Sequence, residues 1–259
     1  MKISLANQIK LRISICILLV IIGIPYWFYT GGTLLGLIAL RLFAMFIHTV
    51  GSIGSHRWLA HNSFKPSSFG ARFMLASIVM NGLQKPLFYA ITHLEHHRHV
   101  DTELDPHTPV VYSFWDMFWG RYGTKLKTGY IVPKHFLRNK EAMFVHNHFW
   151  KLVISFNVLL AIIDLPTALL FTPVNFLGAW IGANIVNYHG HNGHKGREQI
   201  EPINMAHWWA FLISFSGEEN HKNHHDAPSC YHFEGNGRKD PARWIVEYIL
   251  MDKDRLKVA

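Results

Sequence analysis

Four stretches of the chain read as long apolar runs, and the polar positions between them gather into large blocks. Residues 11–29 (LRISICILLVIIGIPYWFY) carry one arginine near the start and no other charge, close to the ~20 residues that a bilayer-spanning helix requires. Pro25 is a candidate kink within it. After Thr30-Gly31-Gly32 a second run covers residues 33–54, interrupted by Arg41 and His48, so the pattern predicts a tight helical hairpin. A second hairpin is predicted over residues 149–190. Asp164-Leu165-Pro166 and Thr172-Pro173-Val174-Asn175 compete for its turn. The first, extended to Thr167, is favoured because a carboxylate is costly at mid-bilayer, and it gives spans at 149–163 and 168–190. Residues 68–90 are also apolar, but Arg72, Asn81, Gln84, Lys85 and Pro86 interrupt them. They read as an amphipathic helix lying at the membrane interface.

Composition agrees with this pattern. With 259 residues, 49% of them hydrophobic and 16% charged, the chain reads as one domain, residues 1–259, too apolar between its polar blocks for an ordinary soluble enzyme. No repeat, low-complexity tract or linker marks a second domain. The first apolar run is long for a signal peptide and lacks a small-residue cleavage pattern. Cys16 and Cys230 are too few for a disulfide framework.

Charge then sets an orientation. With four spans, Lys2, Lys10, Arg12, Arg57, the eleven basic residues from Lys65 to Lys151 and the nine after His191 fall on one side, and only Arg41 does not. That excess assigns both termini and the polar blocks to the cytoplasm. The expected fold is an all-α integral membrane protein with four transmembrane helices in two hairpins under a helical cytoplasmic cap. The net charge of +8 follows from the same asymmetry and calls for no nucleic acid. Attraction of anionic headgroups or an acidic redox partner is a secondary use.

The cap carries the chemistry. Residues 93–107 (HLEHHRHVDTELDPH) hold five histidines and four carboxylates, a density that no fold needs. On a helix, His93, His96 and His97 stand at i, i+3 and i+4 and leave one face together. The spacing returns at His221, His224 and His225 in GEENHKNHH, and a looser pair, His56 and His61, sits in GSHRWLAH. Eight imidazoles exceed the four ligands of a structural zinc site and point to two metal ions. Imidazole suits zinc, copper, nickel and iron alike. Beside apolar helices, chemistry on an unactivated hydrocarbon favours iron with dioxygen. A rival from another class is a multipass metal transporter or sensor, but transporters hold ligands near the bilayer midplane, and here only His48 is deep. His48 reads as a hydrogen-bonded interior histidine.

The order HRWLAH, HLEHH with DTELDPH, then GEENHKNHH resembles the membrane-bound fatty acyl desaturases of the stearoyl-CoA desaturase type, from about Gly51 into GRKDPARWIVEYIL. VNYHGH at residues 186–191 is similar to a further family segment. The resemblance implies that His56, His61, His93, His96, His97, His191, His221, His224 and His225 bind two irons, with Asn187 holding a metal-bound water. Spacing does not divide the ligands between the ions. A shift of half a turn would put His189 in the place of His191; His194 crowds the same segment.

The resemblance also implies the reaction. Dioxygen and two electrons remove two hydrogens from adjacent methylenes of an acyl chain, leaving a cis double bond, with delta-9 as the expected position. Hydroxylase, acetylenase and terminal desaturase chemistries share the scaffold. The carrier is left open between coenzyme A, a carrier protein and a phospholipid. No haem domain is appended, so electrons are expected from a separate ferredoxin, or a cytochrome with its reductase. Thr92 and Leu94 stand where animal acyl-CoA enzymes have Asp and Arg, and Tyr89 where they often have Trp, which puts head-group recognition in question. Glu95, Asp101, Asp105, Glu218 and Asp226 lie beside the clusters as candidates for orienting the imidazoles. His99 and His107 match no family ligand. Trp208-Trp209 reads as a membrane-face pair. Without an evident sorting signal, a bacterial inner membrane is expected over an endoplasmic reticulum.

Overall fold

The computed structural model describes residues 5–121, 129–192, 200–208 and 214–252. His194 and Trp209 lie outside these. Each apolar run forms one helix: α1 Leu5–Tyr29, α2 Leu34–Ile53, α7 Lys140–Ile163 and α8 Leu165–His189. Between α2 and α7 come α3 Ser68–Asn81, α4 Pro86–His99, and the short α5 Phe114–Phe118 and α6 Lys134–Arg138. After α8 come a 3-10 turn at Glu218–Asn220, α9 His221–Asp226 and α10 Pro241–Ile245. The described residues form no strand, only two isolated bridges, Pro66 with Met251 and Gly235 with Arg238. The four long helices are each long and apolar enough to cross a membrane.

The ends of these helices depart from the hydropathy reading. Helix α1 starts at Leu5, six residues before the apolar run, because Ile9 and Ile13 are buried although Lys10 and Arg12 flank them. It passes through Pro25 without a break. Helix α2 is capped by Thr33, whose side chain accepts from the Gly36 N–H. The turn of the second pair is tighter than Asp164 to Thr167. Asp164 alone is non-helical, α8 resumes at Leu165 with Pro166 in its first turn, and the Thr167 hydroxyl bonds the Asp164 carboxylate. The competing breaker, Thr172 to Asn175, is inside α8, with Thr172, Pro173 and Asn175 buried.

Helix α1 packs on α8, α2 on α3 and α8, and α7 on α8 and α3. Helix α3 therefore packs within the bundle, whereas its interrupted apolar pattern predicts an interfacial helix. It exposes only Ser68, Phe69, Arg72 and Ala76, while Met74, Leu75, Ile78 and Val79 are buried. So broad an apolar face needs neighbours on several sides, which a flat interface does not give. The chain reverses at Gly82, whose φ of +59° is the left-handed cap that glycine adopts without strain. It returns as α4, which carries the second histidine cluster back toward the first.

Candidate metal centre

The looser histidine pair owes its geometry to a wider turn. Past Ile53, α2 continues as a π-helical segment, Gly54–Ala60, and the His61 N–H donates to the His56 carbonyl at 3.1 Å. An i to i+5 turn stacks residues five apart, so His56 and His61 share a face that an ordinary α-helix would deny them. Helix α4 supplies His93, His96 and His97, α9 supplies His221, His224 and His225, and the turn just after α8 supplies His191.

These nine imidazoles divide into two groups, His56, His61, His93, His97 and His224 in one and His96, His191, His221 and His225 in the other. In the first, Nε2 to Nε2 separations are 2.8 Å for His61–His93, 3.1 Å for His93–His97, 2.8 Å for His97–His224 and 2.9 Å for His56–His224. In the second they are 2.8 Å for His191–His221, 3.1 Å for His221–His225 and 3.3 Å for His96–His225. Each HxxHH motif sends its i and i+4 rings to one group and its middle ring to the other. The helix geometry explains this: i and i+4 lie almost above one another, and i+3 leaves at a different angle.

The geometry fits two cations. Nitrogens ~2.1 Å from an ion and about 90° apart lie ~3 Å from each other, which is the spacing found here. Burial keeps the rings neutral, as ligands must be. It pushes His61, His97 and His225 down to about 2, and His93, His96, His221 and His224 well below the ordinary imidazole value, with the neighbouring rings adding to the effect.

Three carboxylates hold the far nitrogens of ligand-type rings. Glu218 lies 2.9 Å from His56 Nδ1, Asp105 2.8 Å from His96 Nδ1 and Asp101 3.1 Å from His191 Nδ1. Such bonds fix the tautomer and aim Nε2 inward. Asp105 is buried, which pushes its carboxyl up to about 7. The other two candidate carboxylates have different partners: Glu95 accepts from the Ile131 N–H, and Asp226 pairs with Lys222 on the surface. His191 is fully buried, whereas His189 is exposed and contacts Phe114 and Tyr188. His107, outside the family ligand set, is half-buried beside His96 and forms a third convergent group with His96 and Asp105. His99 lies near Glu95.

Arg57, which sequence marks only as one more basic residue on the cytoplasmic side, follows His56 in the π-helical turn. It is 1% exposed, donates to Asp240 and to the carbonyls of Tyr231 and Ser216, and lies 3.7 Å from the Phe233 ring centre. An arginine between His56 and Trp58 gives no local sign of a carboxylate so far along the chain.

Beside the histidines opens a cavity of about 470 Å³. His56, His93 and His221 line it, and it extends past Phe88 and Tyr89 to Trp150 and Trp180. Asn187, one turn before His191, and His48 line it too. It therefore joins the convergent imidazoles to an apolar space between the long helices.

Comparison with known proteins bears on what enters that space. Residues 31–234 match the family model described as fatty acid desaturase. The Delta-9 acyl-lipid desaturase 1 of Arabidopsis thaliana is 27% identical over 229 residues, covering 81% of this chain and 69% of the relative. The Acyl-CoA 5-desaturase AL21 of Anemone leveillei is 24% identical over 210 residues, covering 76% of this chain and 60% of the relative. The Delta-9 acyl-lipid desaturase 2 of Arabidopsis thaliana is 26% identical over 217 residues, covering 77% and 66%. The chain thus spans about two thirds of the length of these relatives.

Proposed function

The chain belongs to the fatty acid desaturase family, and we propose that it introduces a cis double bond into a long saturated acyl chain at the ninth carbon, the position printed in the names of two of its relatives. One hydrogen leaves each of two adjacent methylenes, while dioxygen, two electrons and two protons become two water molecules. The observation that carries the reading is the division of nine buried or half-buried imidazoles into groups of five and four at ligand separations, beside a cavity that three of them line and that runs into an apolar bundle.

In this reading the five and the four imidazoles each hold one iron, and Asn187 supports the second group through a water. Iron bound there would supply the oxidation by dioxygen. The rest falls to the chain's own residues. Glu218, Asp105 and Asp101 orient His56, His96 and His191, and the buried surroundings keep bulk water from the oxidised carbons. Phe88, Tyr89, Trp150 and Trp180 position the chain, because methylenes offer no polar handle and shape must choose the carbons. The one-sided distribution of basic residues supports a cytoplasmic histidine side, reached by a separate electron donor.

Gas chromatography with mass spectrometry of total fatty acids, from cells expressing the chain and a His96→Ala control, tests the proposal. A new monounsaturated acid absent from the control is the expected result, and derivative fragments locate its double bond. A hydroxylated or acetylenic product would replace desaturation by a sibling chemistry.

A further inference from the structure

The cavity is lined by two cations, Arg12 and Lys85, and by one carboxylate, Glu218, which is engaged with His56 Nδ1. Arg12 on α1 and Lys85 at the N-cap of α4 both line it, and neither has an acidic partner among the described residues. The acidic residues of the four long helices and their turns are few: Glu141, paired with Arg72, and Asp164 at the turn before α8. Arg12 is held firmly. Its Nη2 donates to the carbonyls of Gly82 and Leu83, and its guanidinium carbon lies 4.6 Å from the Trp150 ring centre and 4.4 Å from that of Phe176. These bonds come from one nitrogen and leave the charge uncancelled. A cation among apolar side chains calls for an anion.

Two uncharged groups point the same way. Asn81 is 5% exposed, lines the cavity, and its Oδ1 has no hydrogen-bond partner among the described residues. His146 lines it too, with a buried Nδ1 that is likewise without a partner. A hydrocarbon satisfies neither group. Lys85 stands away from the nine clustered imidazoles, preceding His93 by eight residues, ~12 Å of helix rise.

We infer that this end of the cavity receives an oxyanion carried by the acyl substrate, the carboxylate of an unesterified fatty acid or the phosphate of a phospholipid. Arg12 and Lys85 hold the charged end while the methylenes run toward the histidines. A thioester at the same point is uncharged and would leave both cations unanswered. The inference rests on the acyl reading of the cavity and deepens it, naming the end from which the chain is measured.

Equilibrium binding to the purified full-length protein in uncharged detergent tests it with two matched pairs, stearate against stearyl alcohol and distearoyl phosphatidic acid against distearoylglycerol. One anion should bind roughly tenfold tighter than its uncharged partner. The pair that discriminates identifies the source, carboxylate or phosphate. K85Q should remove most of the preference while leaving the uncharged ligand's affinity unchanged. R12K, which keeps the charge, should retain it where R12Q loses it or fails to fold. Equal binding within both pairs, or a preference untouched by K85Q, overturns the inference and leaves the acyl cavity standing. Failure of all four ligands to bind overturns both.

Discussion

Arg57 and Asp240, 183 residues apart in sequence, form a buried ion pair with Nη1 2.6 Å from Oδ2. The pair ties the π-helical turn bearing His56 to the C-terminal segment. Asp240 also accepts from the N–H groups of Phe233 and Ala242, so its charge is fully used. Removing one partner strands the other in the interior. Arg57→Ala or Asp240→Ala should each cost ~3–5 kcal/mol, and the double variant much less than their sum. Thermal unfolding of the four proteins in detergent checks this, and additive losses would mean that the two residues act separately. Gly217→Ala should act on the same pair, because at φ +80° an added Cβ would overlap Asp240 Oδ1.

Asp105→Asn keeps the shape beside His96 Nδ1 and removes the charge. The amide can present N–H where the carboxylate accepted one, so the imidazole loses its fixed tautomer. Iron affinity should fall about 10–100-fold with the fold intact. Iron titration followed by optical absorption reads this directly, and Asp226→Asn, on the surface beside Lys222, should leave it unchanged.

Protons should compete with the fold at the histidine cluster. Seven of its rings titrate well below their unfolded value of about 6.5 because burial disfavours the cation. Below about pH 6.5 the unfolded chain takes up protons that the folded chain refuses. Stability is therefore present above that pH and lost as pH falls, by up to ~1.4 kcal/mol per ring per pH unit. Asp105 and Glu219, both pushed up to about 7 by burial, act in the opposite sense, losing their contribution as pH rises through that value, but two carboxyls are outnumbered. The metal-free protein should show a melting temperature that drops steeply from pH 6.5 to 5. A flat profile over that range would contradict the buried neutral cluster.

His96→Ala and His224→Ala each remove one ring from a different group. Each variant should insert normally, retain less than two irons per chain and yield no unsaturated product. Metal analysis beside fatty acid analysis separates loss of the ion from loss of the substrate. Full iron content in either variant would refute its ligand role.

The turn between α7 and α8 should face away from the histidines. Leu165→Cys, in a background with Cys16 and Cys230 replaced by serine, should react with an impermeant maleimide only from outside the cell. Labelling from the cytoplasmic side would reverse the orientation taken from charge.

Local spacing accounts for much of this protein. Four apolar runs of sufficient length gave the four long helices, and i, i+3, i+4 histidines gave two ligand-bearing faces, because both signals repeat within a few residues along one helix. Helix ends were less readable, since hydropathy stops at a charge while the backbone ladder of α1 continues past Lys10 and Arg12.

Tertiary packing decided what depends on distant partners. It put His224 beside His56 and His97 but His225 beside His221 and His96, and it chose Asp101, Asp105 and Glu218 over Glu95 and Asp226 to hold the imidazoles. It also drew α3 into the bundle and set Arg57 against Asp240. The physical reason is range: periodicity governs neighbours on one helix, whereas a bond between residues far apart in sequence exists only once the helices have packed and excluded water.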